Sequence, residues 1–181
     1  DFLRRDHDAP FFAVLSVQPP HDPYVSPDEY ARHYEPGSIT LRPNVPPVER
    51  ITRQARTDLA GAYGQIENLD ANVGRVLAYL RESGLDRTTH VMFFSDHGDM
   101  HGSHGYWRKS SPWEEAVRIP FIVRPAAGSG ASQSSAPMNH VDIAPTTLGL
   151  CGIEAPSWMQ GTDFSGRILP DRPAPTREYR S

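Results

Sequence analysis

His90-Val91-Met92-Phe93-Phe94-Ser95-Asp96-His97-Gly98-Asp99-Met100-His101-Gly102-Ser103-His104-Gly105-Tyr106-Trp107-Arg108-Lys109 is the stretch whose reading organises the rest of the chain. Val91 to Phe94 is a short apolar run of β-branched and aromatic residues, the pattern of a buried strand. The run stops at Ser95, and an acid and a histidine follow at once. The carboxyl end of a buried strand is where open α/β sheets place their ligand crevices. Gly98, Gly102 and Gly105 let the backbone turn tightly and pass close to a bound group. Asp96 and His97 offer one hard oxygen and one imidazole nitrogen, a mixed pair suited to a divalent cation, and Asp99 is a further candidate oxygen. The competing reading is a polar surface loop with hydrogen-bonded histidines. So many chemically able side chains on one loop favour a site.

Outward from that loop, three other segments set the expected fold. Phe11 to Val17 is rich in strand formers and too short for a globular helix, so a second buried strand is expected there. It runs into Gln18-Pro19-Pro20-His21-Asp22-Pro23-Tyr24, where prolines on both sides restrict the path of the loop that carries His21. Between Val48 and Ser83, residues Leu59, Tyr63, Ile66, Leu69, Val73, Val76, Leu77 and Leu80 step at three and four. That periodicity predicts a long amphipathic helix ended by Gly84. Ile119 to Val123 reads as a third strand. Strand, long helix and strand imply a parallel βαβ crossover. The expected class is therefore α/β, a mostly parallel sheet flanked by helices.

The remaining segments are less informative. Ser26 to Tyr34 reads as a short helix with Ser26 as cap and Pro27 in first position. Trp113 to Ala116 reads as one helical turn. Asp142 is expected to cap a helix that carries Pro145 in its first turn and ends at Gly152, and His140 reads as structural or as part of the rim. One domain spanning 1–181 is expected, loop-rich at 35–47, 126–137 and 165–181.

Composition narrows the class. In 181 residues, 38% are apolar, enough for a core, and the net charge of −4 argues against a nucleic-acid footprint. Lysine occurs once, at Lys109; every other basic side chain of Lys or Arg type is arginine. Cys151 has no cysteine partner, so no internal disulfide is possible. No apolar run reaches membrane-spanning length, and the charged start shows no cleavable signal. The compartment is left open between cytoplasm and periplasm.

Phe94-Ser95-Asp96-His97-Gly98-Asp99-Met100, followed by Gly102, His104-Gly105, Trp107, Lys109 and Glu114-Glu115-Ala116-Val117-Arg118-Ile119-Pro120, resembles the type I sulfatases of the alkaline phosphatase superfamily. Pro20-His21-Asp22-Pro23-Tyr24 resembles the P-H-x-P-Y segment of the same family, and Val141 to Thr146 its V-D-I-A-P-T segment. The resemblance implies a partial alkaline-phosphatase-like fold. It implies that Asp96 and His97 bind calcium (with Mg2+ or Mn2+ as other possibilities) and that Lys109 contacts the sulfate. It also implies that His21 is the catalytic histidine, and His104 lies within reach as a substrate contact. Residues 35–47 would border the substrate mouth. Pro19 stands where family members often carry another histidine, a departure that removes that second group.

Two family features are missing from the sequence. No C-x-P-x-R or S-x-P-x-R signature, the source of the formylglycine nucleophile, is present, since Cys151 precedes Gly152-Ile153-Glu154. There is also no Asp-Asp pair to complete a calcium shell. The chain therefore resembles a C-terminal portion of the catalytic domain. The resemblance implies hydrolysis of a sulfate monoester on a small molecule or glycan, with the formylglycine half or a second copy of the chain as protein partner. A phosphonate monoester or phosphodiester hydrolase of the same superfamily is one alternative. A folded, non-catalytic assembly partner is another.

Overall fold

The computed structural model describes residues 2–5, 9–126, 128, 132–169, 171 and 172. Within the segments expected to be loop-rich, residues 127, 129–131, 170 and 173–181 lie outside the described residues. In chain order the helices and strands are α1 (Asp28–Ala31), α2 (Glu49–Glu82), β1 (Val91–Phe94), α3 (Glu114–Val117), β2 (Phe121–Arg124), α4 (Ile143–Leu150) and α5 (Ser165–Ile168). They fall into two compact units, one of residues 1–84 with 97–119, the other of residues 85–96 with 120–181.

The first unit is built on α2. Its 34 residues amount to about 50 Å at 1.5 Å per residue. Its ends match the periodicity, with Val48 and Ser83 as flanking residues and Gly84 following at φ 73°. Burial is uneven along it. Ala55, Leu59, Ala60 and Ala62 are buried in the N-terminal half, whereas Ile66 is 47% exposed. Leu59 and Ala60 join Ile39 in a core cluster against which Tyr34 and Leu41 pack. The small residues serve close approach: a Cβ on Gly61 would strike the Tyr24 carbonyl, so the chain after His21 lies directly on the helix. Residues 35–47 are ordered by packing, with Ile39 and Val45 buried.

In the second unit β1 and β2 pair antiparallel, Val91 opposite Arg124 and Phe94 opposite Phe121. The α/β class stands, but two expectations about the sheet change. Residues 11–17 form no strand, and Phe12, Val14 and Leu15 are each 75% exposed. Among the described residues the only sheet is this two-stranded one, so the parallel crossover is not made. A strand exists only through a hydrogen-bonded neighbour, and the apolar run at 11–17 has none to pair with among these residues. β2 also begins two residues later than expected, after Pro120, which lacks a donor for the ladder.

The core of the second unit lies around α4. Thr147 Oγ1 donates to Met92 Sδ at 3.4 Å, holding α4 on β1. Asn139, not Asp142, caps the turn that leads into α4, accepting from Val141 N at 3.0 Å. Asp142 is fully buried, stands at the N-cap position of α4 without a side-chain bond to that helix, and completes the capping box of the preceding turn: Asn139 N donates to Oδ2 at 2.9 Å, while Thr162 N donates to Oδ1 at 2.7 Å. His140 donates through Nε2 to the Ser95 carbonyl at 3.2 Å, a structural role as expected. No helix among the described residues is long and apolar enough to cross a membrane.

Candidate functional site

The loop of residues 98–110 is closed upon itself before any side chain contributes. Met100 N donates to the Arg108 carbonyl and Gly102 N to that of Tyr106, both at 2.8 Å. Gly98 N donates to the Ala116 carbonyl at 2.8 Å, and a Cβ on Gly98 would collide with the neighbouring Glu115 carbonyl. Glycine is required there because the two backbones touch. Closing so short a loop forces four non-glycine residues to positive φ: His101 (42°), His104 (54°), Arg108 (65°) and Ser110 (71°). For an L-residue this costs about 1–2 kcal/mol. Lys109 sits between two of them.

Asp99 carries much of that strain. Its Oδ1 accepts from His101 N at 3.1 Å and Arg108 N at 3.0 Å, and its Oδ2 from the Tyr24 hydroxyl at 2.7 Å. Burial alone would raise the Asp99 carboxyl, but the Tyr24 hydroxyl, His101 and the backbone donors outweigh it and hold it below the usual range. Burial and the bond to Asp99 push the Tyr24 hydroxyl far above its ordinary range. Asp99, considered above as a metal oxygen, is thus a brace whose two oxygens are both engaged. The sequence marked Tyr24 only as the end of a motif. A tyrosine just after a candidate histidine loop is the signal that could have found this bond.

His21 and Lys109 come together across 88 residues of sequence. The His21 Nδ1 proton points to the Asp22 carbonyl at 2.8 Å, with Asp22 Oδ1 at 3.1 Å. That leaves the lone pair on Nε2, which accepts from Lys109 Nζ at 3.0 Å. The His97 ring lies 6.4 Å from that of His21, centroid to centroid. Holding His21 in place is Gln65, only 6% exposed, whose amide Nε2 donates to the carbonyls of Pro23 (3.1 Å), Val25 (3.2 Å) and His21 (3.4 Å). Nothing in the helical periodicity singled out Gln65. A buried polar residue on an otherwise apolar face was its only mark.

His104 keeps different company. Its ring stacks on Trp113 at 4.2 Å and 19°, its Nε2 accepts from Asn44 Nδ2 at 3.0 Å, and its backbone N donates to the Asn44 carbonyl at 2.8 Å. No contact joins it to His21 or Lys109. Asn44 also donates to Glu115, whose carboxyl is held below the usual range by that bond. Arg42 donates to the Met100 carbonyl and to Ser103 Oγ, each at 3.3 Å. The proline-rich segment 35–47, which offered no chemistry in the sequence, supplies both of these supports.

Asp96 is exposed and closes a segment of the second unit; His97, half buried, opens the next segment of the first. His97 Nδ1 donates to the Gly98 carbonyl at 2.8 Å, which places the ring's lone pair on Nε2, the nitrogen a metal would use. The donor types suit a hard cation. Among the described residues no three His, Cys, Asp or Glu side chains gather as a metal site, whereas calcium takes about six to eight oxygens. Asp96 and His97 are two donors, fewer than such a shell requires.

Known proteins supply the context. The chain is 36% identical over 176 residues to the ulvan-active sulfatase of Formosa agariphila, covering 94% of this chain and 34% of that protein. A solved structure from a study of glycosaminoglycan metabolism by Bacteroides thetaiotaomicron superposes with a TM-score of 0.79 at 32% identity, over 89% of this chain and 34% of the other. The phosphonate monoester hydrolase of Agrobacterium radiobacter reaches the same TM-score at 22% identity, over 93% of this chain and 40% of that one, a likeness of fold alone. The chain thus spans about a third of the length of the sulfatases it matches. The sulfatase family model matches residues 1–153, which include the histidine loop, the brace at Asp99 and Lys109; the chain belongs to the sulfatase family.

Proposed function

We propose that this chain supplies the sulfate-contacting and proton-delivering groups of a sulfuric ester hydrolase acting on a sulfated glycan. The observation that carries the reading is the bond from Lys109 Nζ to His21 Nε2. A lysine ammonium is a compact point charge for a sulfate oxygen. Hydrogen-bonded to imidazole, it also forms a pair that shares one proton. When the bridging oxygen of the ester departs with negative charge, the proton comes from Lys109 Nζ: His21 Nε2 takes it up, the transient imidazolium releases it to the oxygen, and a neutral lysine amine and neutral imidazole remain. Asp22, at Nδ1, steadies the imidazolium that forms. The glycan assignment is supported by the printed names of the relatives, ulvan-active in one case and glycosaminoglycan metabolism in the other.

Asp96 and His97 would hold a calcium, magnesium or manganese ion. Bound there, such an ion supplies Lewis-acid neutralisation of sulfate charge. With two donors, the isolated chain binds calcium weakly. Tight, stoichiometric binding in a calorimetric titration, removed by Asp96→Ala, would contradict this. The nucleophile, a formylglycine in the family, does not come from these 181 residues, so the isolated chain does not turn over an aryl sulfate. The exposed apolar segment 11–17 is proposed to drive self-association, which light scattering at micromolar concentration reads directly; a stable monomer refutes it.

The test of the reaction is hydrolysis of 4-nitrophenyl sulfate by a sulfatase of the relatives' length that carries this chain. Lys109→Ala and His21→Ala are each expected to lower kcat about 100-fold or more. Wild-type rates in either variant, or a preference for a phenyl phosphonate over the sulfate, would overturn the proposal.

A further inference from the structure

A cavity of about 480 Å³ opens beside the loop of His21, lined by Asp22, Tyr24, Arg50, Asp58, Trp107 and Arg108. Its size is that of a small-molecule pocket, and the proposed reaction makes no use of it. Trp107 is half buried, and its indole N–H is taken by Asp58 Oδ2 at 3.0 Å. What this side chain offers a ligand is therefore ring surface. Asp58, 8% exposed, also accepts from Gln54 at 2.7 Å. An indole face among carboxylate and amide groups suits a sugar, whose C–H face stacks while its hydroxyls hydrogen-bond.

The cations add a second requirement. Arg108 engages Asp22 Oδ2 through Nη2 at 3.2 Å, while its side chain is 69% exposed. A guanidinium has five N–H donors, so most of the fork remains for a ligand. Arg50 is exposed and makes no ion pair among the described residues. The backbone at Arg108 has φ 65°, where glycine would be relaxed. An arginine kept at such a position is strain stored beside a site. Asp22, the partner of Arg108, also contacts His21, so this cavity adjoins the reacting histidine.

We infer that the cavity binds a sugar ring of the substrate that carries a further anionic group, a carboxylate or another sulfate. Trp107 is the stacking face, and Arg50 and Arg108 are the partners of the anion. The inference rests on the sulfated-glycan reading and narrows it to glycans charged at more than the scissile position. An NMR titration of the chain, following the Trp107 indole N–H, tests it with glucuronic acid, glucosamine-2-N,6-O-disulfate, N-acetylglucosamine and inorganic sulfate. One or both charged sugars should bind saturably, at least tenfold tighter than the neutral sugar or sulfate alone, and the tighter of the two names the anion. Arg108→Gly and Arg50→Gln should each weaken that binding at least fivefold, with Arg108→Gly melting no lower than wild type. No saturable shift with either charged sugar, equal binding of the neutral sugar or of sulfate, or undiminished binding by Arg108→Gly would each overturn it. The titration reads the Trp107 indole in the isolated chain and needs no turnover, whereas kcat of the full-length sulfatase tests the reaction, so failure of the cavity and failure of the proposed reaction are told apart.

Discussion

Asp99 in the first unit and Asp142 in the second are both carboxylates that receive backbone N–H groups from distant residues, yet the chain around them differs. Asp142 joins Asn139 to Thr162 in backbone of ordinary conformation, and Thr146 Oγ1 accepts from Phe164 N nearby at 3.0 Å. Asp99 holds a loop with four positive-φ side-chain residues. One carboxylate fastens a core; the other keeps a lysine in a place the backbone would otherwise leave. Strain concentrated on one loop and absent from an equally braced one is the mark of a site as opposed to a scaffold.

The strongest way to break the comparison is to remove each brace. Asp142→Ala strands the buried Thr162 N–H and the partly buried Asn139 N–H and is expected to destabilise the protein by about 2–3 kcal/mol, read by urea denaturation. A loss below about 1 kcal/mol would mean that the second unit does not depend on it. The amide swap is sharper. Asp142 accepts an N–H on each oxygen, so Asp142→Asn must turn an NH2 toward a donor. Asp99 accepts both N–H groups on Oδ1 and a reversible hydroxyl on Oδ2, so Asp99→Asn can keep every partner. Asp142→Asn should therefore cost about 2 kcal/mol more than Asp99→Asn; equal losses would refute the distinction.

Gln65→Leu removes the amide donor from the carbonyls of His21 and Val25 and leaves Pro23 only its bond from Val25 N, and a loss of about 1–2 kcal/mol is expected. Its more telling readout is the His21 ring resonance in NMR, which should broaden or shift. An unchanged resonance would show that the loop holds itself. The smallest effect is a pH slope. Burial holds His101 below its ordinary value, only partly countered by Asp99. The unfolded chain takes up a proton at about pH 6.5, before folded His101 does. Stability is therefore full above that pH and falls as pH drops toward the lower folded value. His101→Phe should flatten this part of the stability profile, and an unaltered slope would assign it elsewhere.

How much of this was legible follows the same division. The 3.6-residue period located α2 to within a residue at each end, and the apolar run located β1, because burial of a face writes a pattern into the sequence. The histidine, lysine and aspartate of the site were legible as motif residues. Gln65, Asn44, Arg42 and Tyr24 were not, since a single long-range hydrogen bond leaves no periodicity. Asp142 stands at the N-cap position of α4 as expected, but its side chain bonds back to Asn139 N in the capping box of the preceding turn and to Thr162 N, a distant partner that sequence spacing does not show. Residues 11–17 read as a strand on propensity alone, but a strand needs a partner that propensity does not show.

Lys109 is the sole lysine of the chain, is exposed, and its amine rests on the Nε2 of His21. An acylating or reductively alkylating reagent therefore has a single side-chain amine to modify. A probe attached there reports from the pair that would deliver the proton, without a cysteine having to be introduced or any other lysine masked.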